Sequence, residues 1–587
     1  MTAGISSALQ AVKSSLPDWA APHFATVLAL TSKTASHLRQ YVLVYVVLLV
    51  SVIFYFVYRW CLYARFFSPL RHMPGPEYGH WFFGQTMTII REETGVPQRS
   101  WHMKYGPRIR FSGLMGAERV SFTNYNALRQ LLIEDPYNYT KPSFVRSLLG
   151  IVAGYGLLTL EDREHVDMRR FMNGAFAFKW VEAQFEAYYK HINGLVDILK
   201  EKIDEAERSR GEGEGVVMEV TQSINNCLLD IICDTAFGYQ TDHLHNPEEP
   251  LGKSFETLVN MQGGANMAVI ILFLTLPGGP KIAKWATEQT WTGPLLQRIA
   301  DLFPFGIGAL SRVATFCTNL SRIKQISQEM LDQKLAEAKA LRKAGGNEFE
   351  ASGGKVDVFS LLVKASLDEK SSYRMNAEMI QNQVLTFLGA GHETTASGAA
   401  WALWELAQNQ RVQNKLRLEC QELISRRANP EYQDIKHLKY LNHVVQEVMR
   451  LRPPVPHTAR QARKTSTIDG VLIPKGTLIY IPNWVCNTDP EVWGQDALEF
   501  RPERFDELSE KYNKTFSILT FIAGAHHCIG RVTAENELKA LLCTLIANFE
   551  FHKKDPEQTV KRTSAITMKP QGGLELLVKR AGPARAA

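Results

Sequence analysis

Cys528 stands alone in a glycine-punctuated run, Phe521-Ile-Ala-Gly524-Ala-His526-His527-Cys528-Ile529-Gly530. Downstream, Val532, Leu538, Leu541, Leu542, Leu545 and Phe549 recur at helical spacing, which predicts an amphipathic helix starting just after the thiol. Free N–H groups and the positive end of the dipole at such a terminus favour S⁻ over SH. A thiolate held there can be an axial metal ligand, and Gly524 and Gly530 would let a flat macrocycle approach the backbone. Taken alone, the loop also suits a free cysteine packed as a small hydrophobe.

Other chemically capable groups lie upstream. Ala390-Gly391-His392-Glu393-Thr394-Thr395 falls inside an apolar-periodic stretch that starts near the cap Asn376 and runs through Val384, Phe387, Leu388, Trp401 and Leu406. Gly391 weakens the ladder three residues before Thr394, so a groove can open there. The Glu393 carboxylate and Thr394 hydroxyl would then hold water and relay protons; a merely bent, solvated helix is the alternative. Glu447 and Arg450 share one face of a helix that Pro453 ends. An exposed pair of that kind contributes only ~0.3–0.5 kcal/mol. Phe500-Arg-Pro502-Glu503-Arg504-Phe505 follows. His165 and Arg169, four apart, also share a helix face, and Arg460 comes shortly after Pro456-His457-Thr458.

These motifs, in this order, resemble the cytochrome P-450 family, whose Phe-x-x-Gly-x-Arg-x-Cys-x-Gly loop presents a thiolate to haem iron. Phe521, Gly524, Cys528 and Gly530 match, and His526 stands where the family usually has Arg. A His donates fewer hydrogen bonds and is mostly neutral at pH 7. The resemblance implies a mainly α fold with small antiparallel sheets, haem b as cofactor, and Cys528 as the axial ligand of its iron. It implies propionate contacts from His526, Arg169, His165 and Arg460, and proton delivery to bound dioxygen by Thr394 and Glu393. Glu447, Arg450 and Arg504 are implied to form a buried network with a structural role.

The elements that position these groups are preceded by a different kind of segment. Tyr41 to Tyr58 is eighteen residues without a charge, followed by Arg59, Trp60, Tyr63 and Arg65. That is the length and flank chemistry of one transmembrane helix. A signal peptide would be shorter and nearer Met1. Lys33 and Arg39 precede the span; Arg59, Arg65 and Arg71 follow it, a slight bias that points the C-terminal part to the cytosol. Pro74-Gly75-Pro76 makes a stiff turn. The expected organisation is 1–40 lumenal, 41–60 transmembrane anchor, 61–76 hinge and 77–580 catalytic domain.

Composition adds little: 587 residues with net charge +6 and no basic tract, which excludes nothing but gives no sign of nucleic-acid binding. Eight cysteines without Cys-x-x-Cys spacing suit a reducing compartment. Arg108–Ser112 and Arg119–Phe122 alternate around a turn, as a hairpin does, and Thr467–Tyr480 gives another. Long helices are expected over Trp180–Glu207 and Ile326–Lys343, with loops at Gly211–Gly215 and Gly345–Gly354. Met267–Leu276 is apolar on all sides but too short to span a bilayer. It is either a buried helix or a roof of the substrate channel that dips into the membrane surface.

The expected function is therefore a monooxygenase at the endoplasmic reticulum membrane, facing the cytosol, most like fungal microsomal members. It would insert one atom of dioxygen into a hydrophobic terpenoid, polyketide, sterol or fatty-acid-like molecule, in secondary metabolism by analogy with those members. Electrons would come from NADPH through a separate NADPH-cytochrome reductase, with cytochrome b5 as a second donor, and membrane lipid as a further partner. A reductase-independent haem-thiolate isomerase or dehydratase, or a non-catalytic membrane-tethered haem protein, are the alternatives.

Overall fold

The computed structural model describes residues 41–42, 44–211, 213–261, 270, 273–302, 308–343, 358–367, 375–563 and 566–583. Most of Met267–Leu276, the loop Gly345–Gly354 and the segment 1–40 lie outside them. The helices that matter for the site are α1 (Val96–Tyr105), α2 (Asp162–Asn173), α3 (Thr221–Phe237), α4 (Pro250–Met261), α5 (Ala377–Gln408), α6 (Lys439–Leu451) and α7 (Arg531–Asn548).

α5 is the central element. Asn376 caps it, its side chain accepting the Met379 N–H at 2.8 Å. Beyond Thr395 almost every residue is buried, because α5 is packed on all sides against α3, α6 and α7. Trp401, fully buried, donates its indole N–H to the Met568 carbonyl at 2.7 Å, and Ser397 donates to the same oxygen at 2.7 Å. The C-terminal loop is thereby tied to the middle of the molecule. α7 differs from the amphipathic reading: Asn536–Leu538 and Ala540–Ile546 are buried all round, and only its first turns face outward.

Among the described residues ten strands form three sheets. β1 (Arg108–Ser112), β2 (Glu118–Phe122), β3 (Tyr139–Thr140), β5 (Thr458–Ala462) and β8 (Leu478–Ile481) make the largest, in the order β1-β2-β8-β5-β3. Only β2 and β8 run parallel. β4 (Val216–Glu219), β10 (Glu575–Arg580) and β9 (Phe549–Lys553) form a second sheet, and β6 (Ser466–Ile468) pairs with β7 (Val471–Ile473). The β6–β7 turn has positive φ at both Asp469 and Gly470, as a two-residue hairpin of this twist requires. The second expected hairpin is thus shorter than Thr467–Tyr480, because β8 leaves it to pair with β2 and β5.

The front of the chain departs from expectation. Residues 41–42 and 44–57 are helical, apolar and exposed. The helix changes at Tyr58 into a π-helix, Tyr58–Phe67, and Leu43 lies outside the described residues. Among the described residues no helix is long and apolar enough to cross a membrane. Gly75 lies flat on the sheet edge, where a Cβ would sit 1.8 Å from the Arg110 carbonyl oxygen. Pro74 accepts the Arg110 N–H at 2.8 Å, so this turn is fastened to the folded body.

Candidate functional site

The Cys528 loop is built by backbone hydrogen bonds. The Cys528 N–H donates to the Phe521 carbonyl at 2.9 Å and the His527 N–H to Gly524 at 3.1 Å. Gly524 has φ 72°, and a Cβ there would lie 1.7 Å from the Leu132 carbonyl oxygen, so only glycine fits. Ile522 also has positive φ, 56°, which is strained for a β-branched residue. Gly530 is different: a side chain there would meet no protein atom nearer than Phe176 Cε1 at 4.0 Å. The space beside Cys528 Sγ is an open cradle.

Cys528 is open on that side although protein closes around the rest of it. Burial pushes its thiol up, against the Gly530 N–H, Arg169 and Arg531, which pull it down. The helix terminus alone therefore does not make a thiolate, a correction to the sequence reading. α7 begins only at Arg531, and burial outweighs the Gly530 N–H and the two guanidinium groups. A metal ion bound to the sulfur would deprotonate it outright.

Behind the loop, the structure brings Glu447, Arg450 and Arg504 together at 0, 0 and 3 % exposure. Arg450 Nε and Nη2 donate to the two Glu447 carboxylate oxygens at 2.7 and 2.8 Å, and Arg504 Nε donates to Oε1 at 2.8 Å. Remaining guanidinium N–H groups go to the carbonyls of Asn487, Trp493, Asp496, Ala497 and Glu499. Such satisfaction is what makes a buried ionic cluster tolerable. Asn487, which sequence reasoning missed, carries the network onward: its Oδ1 accepts the Leu519 N–H at 2.7 Å and its Nδ2 donates to Thr520 Oγ1 at 3.0 Å. Those residues lead straight into Phe521, whose ring lies under the Arg531 guanidinium at 5.5 Å.

On α5, Thr394 Oγ1 donates to the Ala390 carbonyl at 2.9 Å and Thr395 to Gly391 at 3.2 Å. The expected groove at Gly391 is not found: α5 is helical throughout, and a Cβ on Gly391 would lie 2.9 Å from Ile232 Cδ1 of α3. The missing side chain admits a neighbouring helix. Glu393 is paired with Lys569 at 3.1 Å and accepts the Thr567 hydroxyl at 2.5 Å. Burial raises its carboxyl, but Lys569, Thr567 and His392 outweigh that and hold it below its ordinary value. His392 points away, donating to the Leu388 carbonyl at 2.6 Å with its ring edge-on to Phe255 of α4.

The remaining site residues form a cationic cluster. The Arg460 side chain, 3 % exposed, donates among the described residues only to Thr458 Oγ1 and the Ala459 carbonyl, both at 2.9 Å. Burial lowers it to about 10. Beside it Lys141, unnoticed in the sequence, is lowered to about 7 by burial and by Arg460. Among the described residues neither pairs with a carboxylate; nearby Glu161 is engaged by Arg146 at 2.8 Å. The His165 and His526 rings lie 4.4 Å apart with planes tilted by 30°, and Tyr137 OH meets His165 Nδ1 at 3.0 Å. Burial, then the surrounding cations, holds both imidazoles far below their ordinary value, so they are neutral. Arg169 turns elsewhere than expected, onto the His527 carbonyl at 2.6 Å and His527 Nε2 at 2.7 Å. His527 Nδ1 donates to Gly524 at 2.8 Å, which fixes its tautomer.

An open sulfur, a flat cradle and two unpaired buried cations form a donor set that suits a planar metal macrocycle bearing carboxylates. A family model for cytochrome P-450 matches residues 73–577. The chain belongs to the cytochrome P-450 family. Cytochrome P-450 monooxygenase 205 of Postia placenta is 30 % identical over 523 residues, covering 86 % of this chain and 90 % of that protein. Cytochrome P-450 monooxygenase sphH of Aspergillus fumigatus is 28 % identical, covering 88 and 90 %. Ganoderic acid synthetase of Ganoderma lucidum is 26 % identical, covering 84 and 90 %. The protein is thus a cytochrome P-450 monooxygenase with fungal relatives, and the cofactor of its family is a haem-thiolate group.

Proposed function

We propose that this cytochrome P-450 carries haem b on Cys528 and inserts one atom of dioxygen into a hydrophobic terpenoid, polyketide, sterol or fatty-acid-like molecule of secondary metabolism. Electrons come from NADPH through a separate reductase, with cytochrome b5 as a second donor. What supports this reading is the open Cys528 sulfur two residues beyond His526, on which Lys141 and Arg460 act, neither of them paired with a carboxylate among the described residues. When bound, the haem supplies oxygen activation and electron transfer that no side chain can.

The chain's own residues do the rest. Cys528 holds the metal, and Lys141 and Arg460 hold the cofactor's carboxylates, with neutral His165 and His526 as lesser donors or acceptors. Glu447, Arg450, Arg504 and Asn487 fix the loop that presents the sulfur. The Thr394 hydroxyl is half-buried and can exchange its Ala390 bond for a water. Glu393, held ionised beside Lys569, accepts the Thr567 hydrogen bond and, one residue from Thr394, can order water next to that hydroxyl. The exposed apolar residues 44–57, with Phe273, Leu276, Ile282, Trp285 and Trp291, are suited to a lipid surface, which we assign to the endoplasmic reticulum.

The test is turnover of the reconstituted protein with reductase, NADPH and ¹⁸O-labelled dioxygen. One labelled oxygen in the product, strictly dependent on reductase, is expected. Product formed without NADPH, or without label, would overturn the reading in favour of a reductase-independent isomerase or dehydratase.

A further inference from the structure

Between α3 and α4 the chain folds back as a short loop that one buried carboxylate organises. Asp230 of α3, 1 % exposed, accepts the Thr241 hydroxyl at 2.7 Å, the His243 and Leu244 N–H groups at 3.0 and 2.9 Å, and the His243 Nδ1–H at 2.6 Å. Burial raises its carboxyl, but the bonds from His243 and Thr241 outweigh that and hold it below its ordinary value. An ionised carboxylate only accepts, so the proton of a neutral imidazole sits on Nδ1 and Nε2 offers a lone pair. The ring fits against α4 because Gly252 has no side chain: a Cβ there would lie 2.6 Å from His243 Cδ2.

That lone pair is unsatisfied. His243 Nε2 is buried with no hydrogen-bond partner, and it lies 3.8 Å from Glu249 Oε2, too far for a bond. Glu249 lacks a counter-charge as well. Among the described residues no Lys or Arg pairs with it, and its carboxylate accepts only a long N–H contact from Asp242 at 3.4 Å. Two acceptors side by side, one of them buried, call for a donor between them.

Glu249 is in the wall of a cavity of about 290 Å³ between this loop, the start of α4 and the long helix Gly308–Lys343. Leu251 and Ile326 supply apolar lining. Glu329 of the long helix also lines it, and among the described residues accepts only from Gln325, at 3.0 Å. Both carboxylates converge on Tyr239, whose phenol is raised by burial, then by Glu249, Cys233 and Glu329. Arg322 lies two helical turns before Glu329, about 10 Å along the axis, so it does not cancel that charge locally. Two carboxylates against one guanidinium leave the lining negative.

Three kinds of donor could enter. A single water, with a volume of about 30 Å³, leaves most of the cavity empty and brings no charge. A metal ion needs further ligands, and among the described residues no group of three His, Cys, Asp or Glu could hold one. A primary ammonium donates to Nε2 and to Oε2 at once, supplies the missing positive charge and lays its carbon chain on Leu251 and Ile326. We infer that Glu249 and His243 form a binding site for a small aliphatic primary amine in its ammonium form.

The test is saturation-transfer NMR with n-butylammonium on the haem-loaded enzyme at about pH 7.5, where the amine is protonated. The enzyme is reduced and carries carbon monoxide, so the iron is closed to amines. Butylammonium binds saturably and at least ~10-fold more tightly than butan-1-ol, as expected for charge-assisted bonds. Butyltrimethylammonium, a cation without N–H, binds severalfold more weakly. Glu249→Gln lowers the affinity ~10-fold with the carbon-monoxide band unchanged. His243→Asn, which keeps a donor for Asp230 and deletes Nε2, lowers it severalfold; should this variant fail to fold, Glu249→Gln alone decides. Glu248→Gln, whose carboxylate pairs with Lys253 instead, leaves binding as it was. The inference is overturned by the absence of saturable binding, by an alcohol or quaternary ammonium that binds as well as the amine, or by an affinity that survives Glu249→Gln or a folded His243→Asn. An equal loss in Glu248→Gln also overturns it, because diffuse surface charge would then account for the binding.

Discussion

Lys141→Met separates an anion site from an ordinary buried lysine, because it should change two properties in opposite directions. In the haem-free protein Lys141 is lowered from 10.5 to about 7, chiefly by burial. At 1.36 kcal/mol per pKa unit that corresponds to roughly 4.8 kcal/mol. The side chain is not wholly shut off from solvent, which screens its charge, so about 2–3 kcal/mol is the expected cost. Below pH 7 both folded and unfolded states hold the proton and the cost is fully present. Between pH 7 and 10.5 the unfolded state holds the proton that the folded state has lost, so stability rises with pH. Lys141→Met should therefore stabilise the haem-free protein by about 2–3 kcal/mol at pH 6 in urea unfolding and remove that rise. In the loaded protein the same change removes a charge-assisted contact of about 1.5–3 kcal/mol, so haem should pass to an excess of haem-scavenging apoprotein ~10–100-fold faster. A variant that leaves both haem release and haem-free stability unchanged would refute the assignment.

Other perturbations test neighbouring parts of the account. Glu447→Ala leaves two buried guanidinium groups without their carboxylate, so a loss of about 3–5 kcal/mol and poor haem incorporation are expected, read by unfolding and by haem content per chain. Near-normal values for both would mean that the network does not hold the loop. Glu537, buried on α7 beside Thr395, is raised to about 8, mainly by burial. The folded state thus holds a proton the unfolded state loses between pH 4.5 and 8, and stability falls as pH rises through that window. Glu537→Gln should flatten this dependence and be the more stable form at pH 9; parallel pH profiles would contradict it. Thr394→Ala should keep fold and haem yet lose product by ~10²-fold or more, with NADPH diverted to hydrogen peroxide. Unchanged product per NADPH would assign Thr394 to helix bending alone.

What could be read before the fold was known is the set of contacts encoded by short spacing. Gly524 and Cys528 need only the local loop, and Glu447 with Arg450 need only three residues of helix. Asn376 announces its own cap in the same way. The contacts that escaped depend on distant chain. Gly391 reads as a helix breaker, but Ile232, far away in sequence, fills its space. Arg169 has the right spacing for a cofactor contact, yet the His527 carbonyl lies within its reach. Lys141 belongs to no motif, because what marks it is burial without a counter-charge, a property of the assembled sheet. At the front of the chain, lack of charge over eighteen residues fixes composition alone, whereas the π-helix at Tyr58 follows from local backbone.

The central claim is that the Cys528 sulfur holds the haem iron, and the reduced protein under carbon monoxide reports that bond directly. The natural enzyme should show the thiolate-type difference band, and Cys528→Ser, whose alcohol stays protonated and binds soft metal poorly, should lose it. An unchanged band in Cys528→Ser would place the iron on another residue and contradict the account.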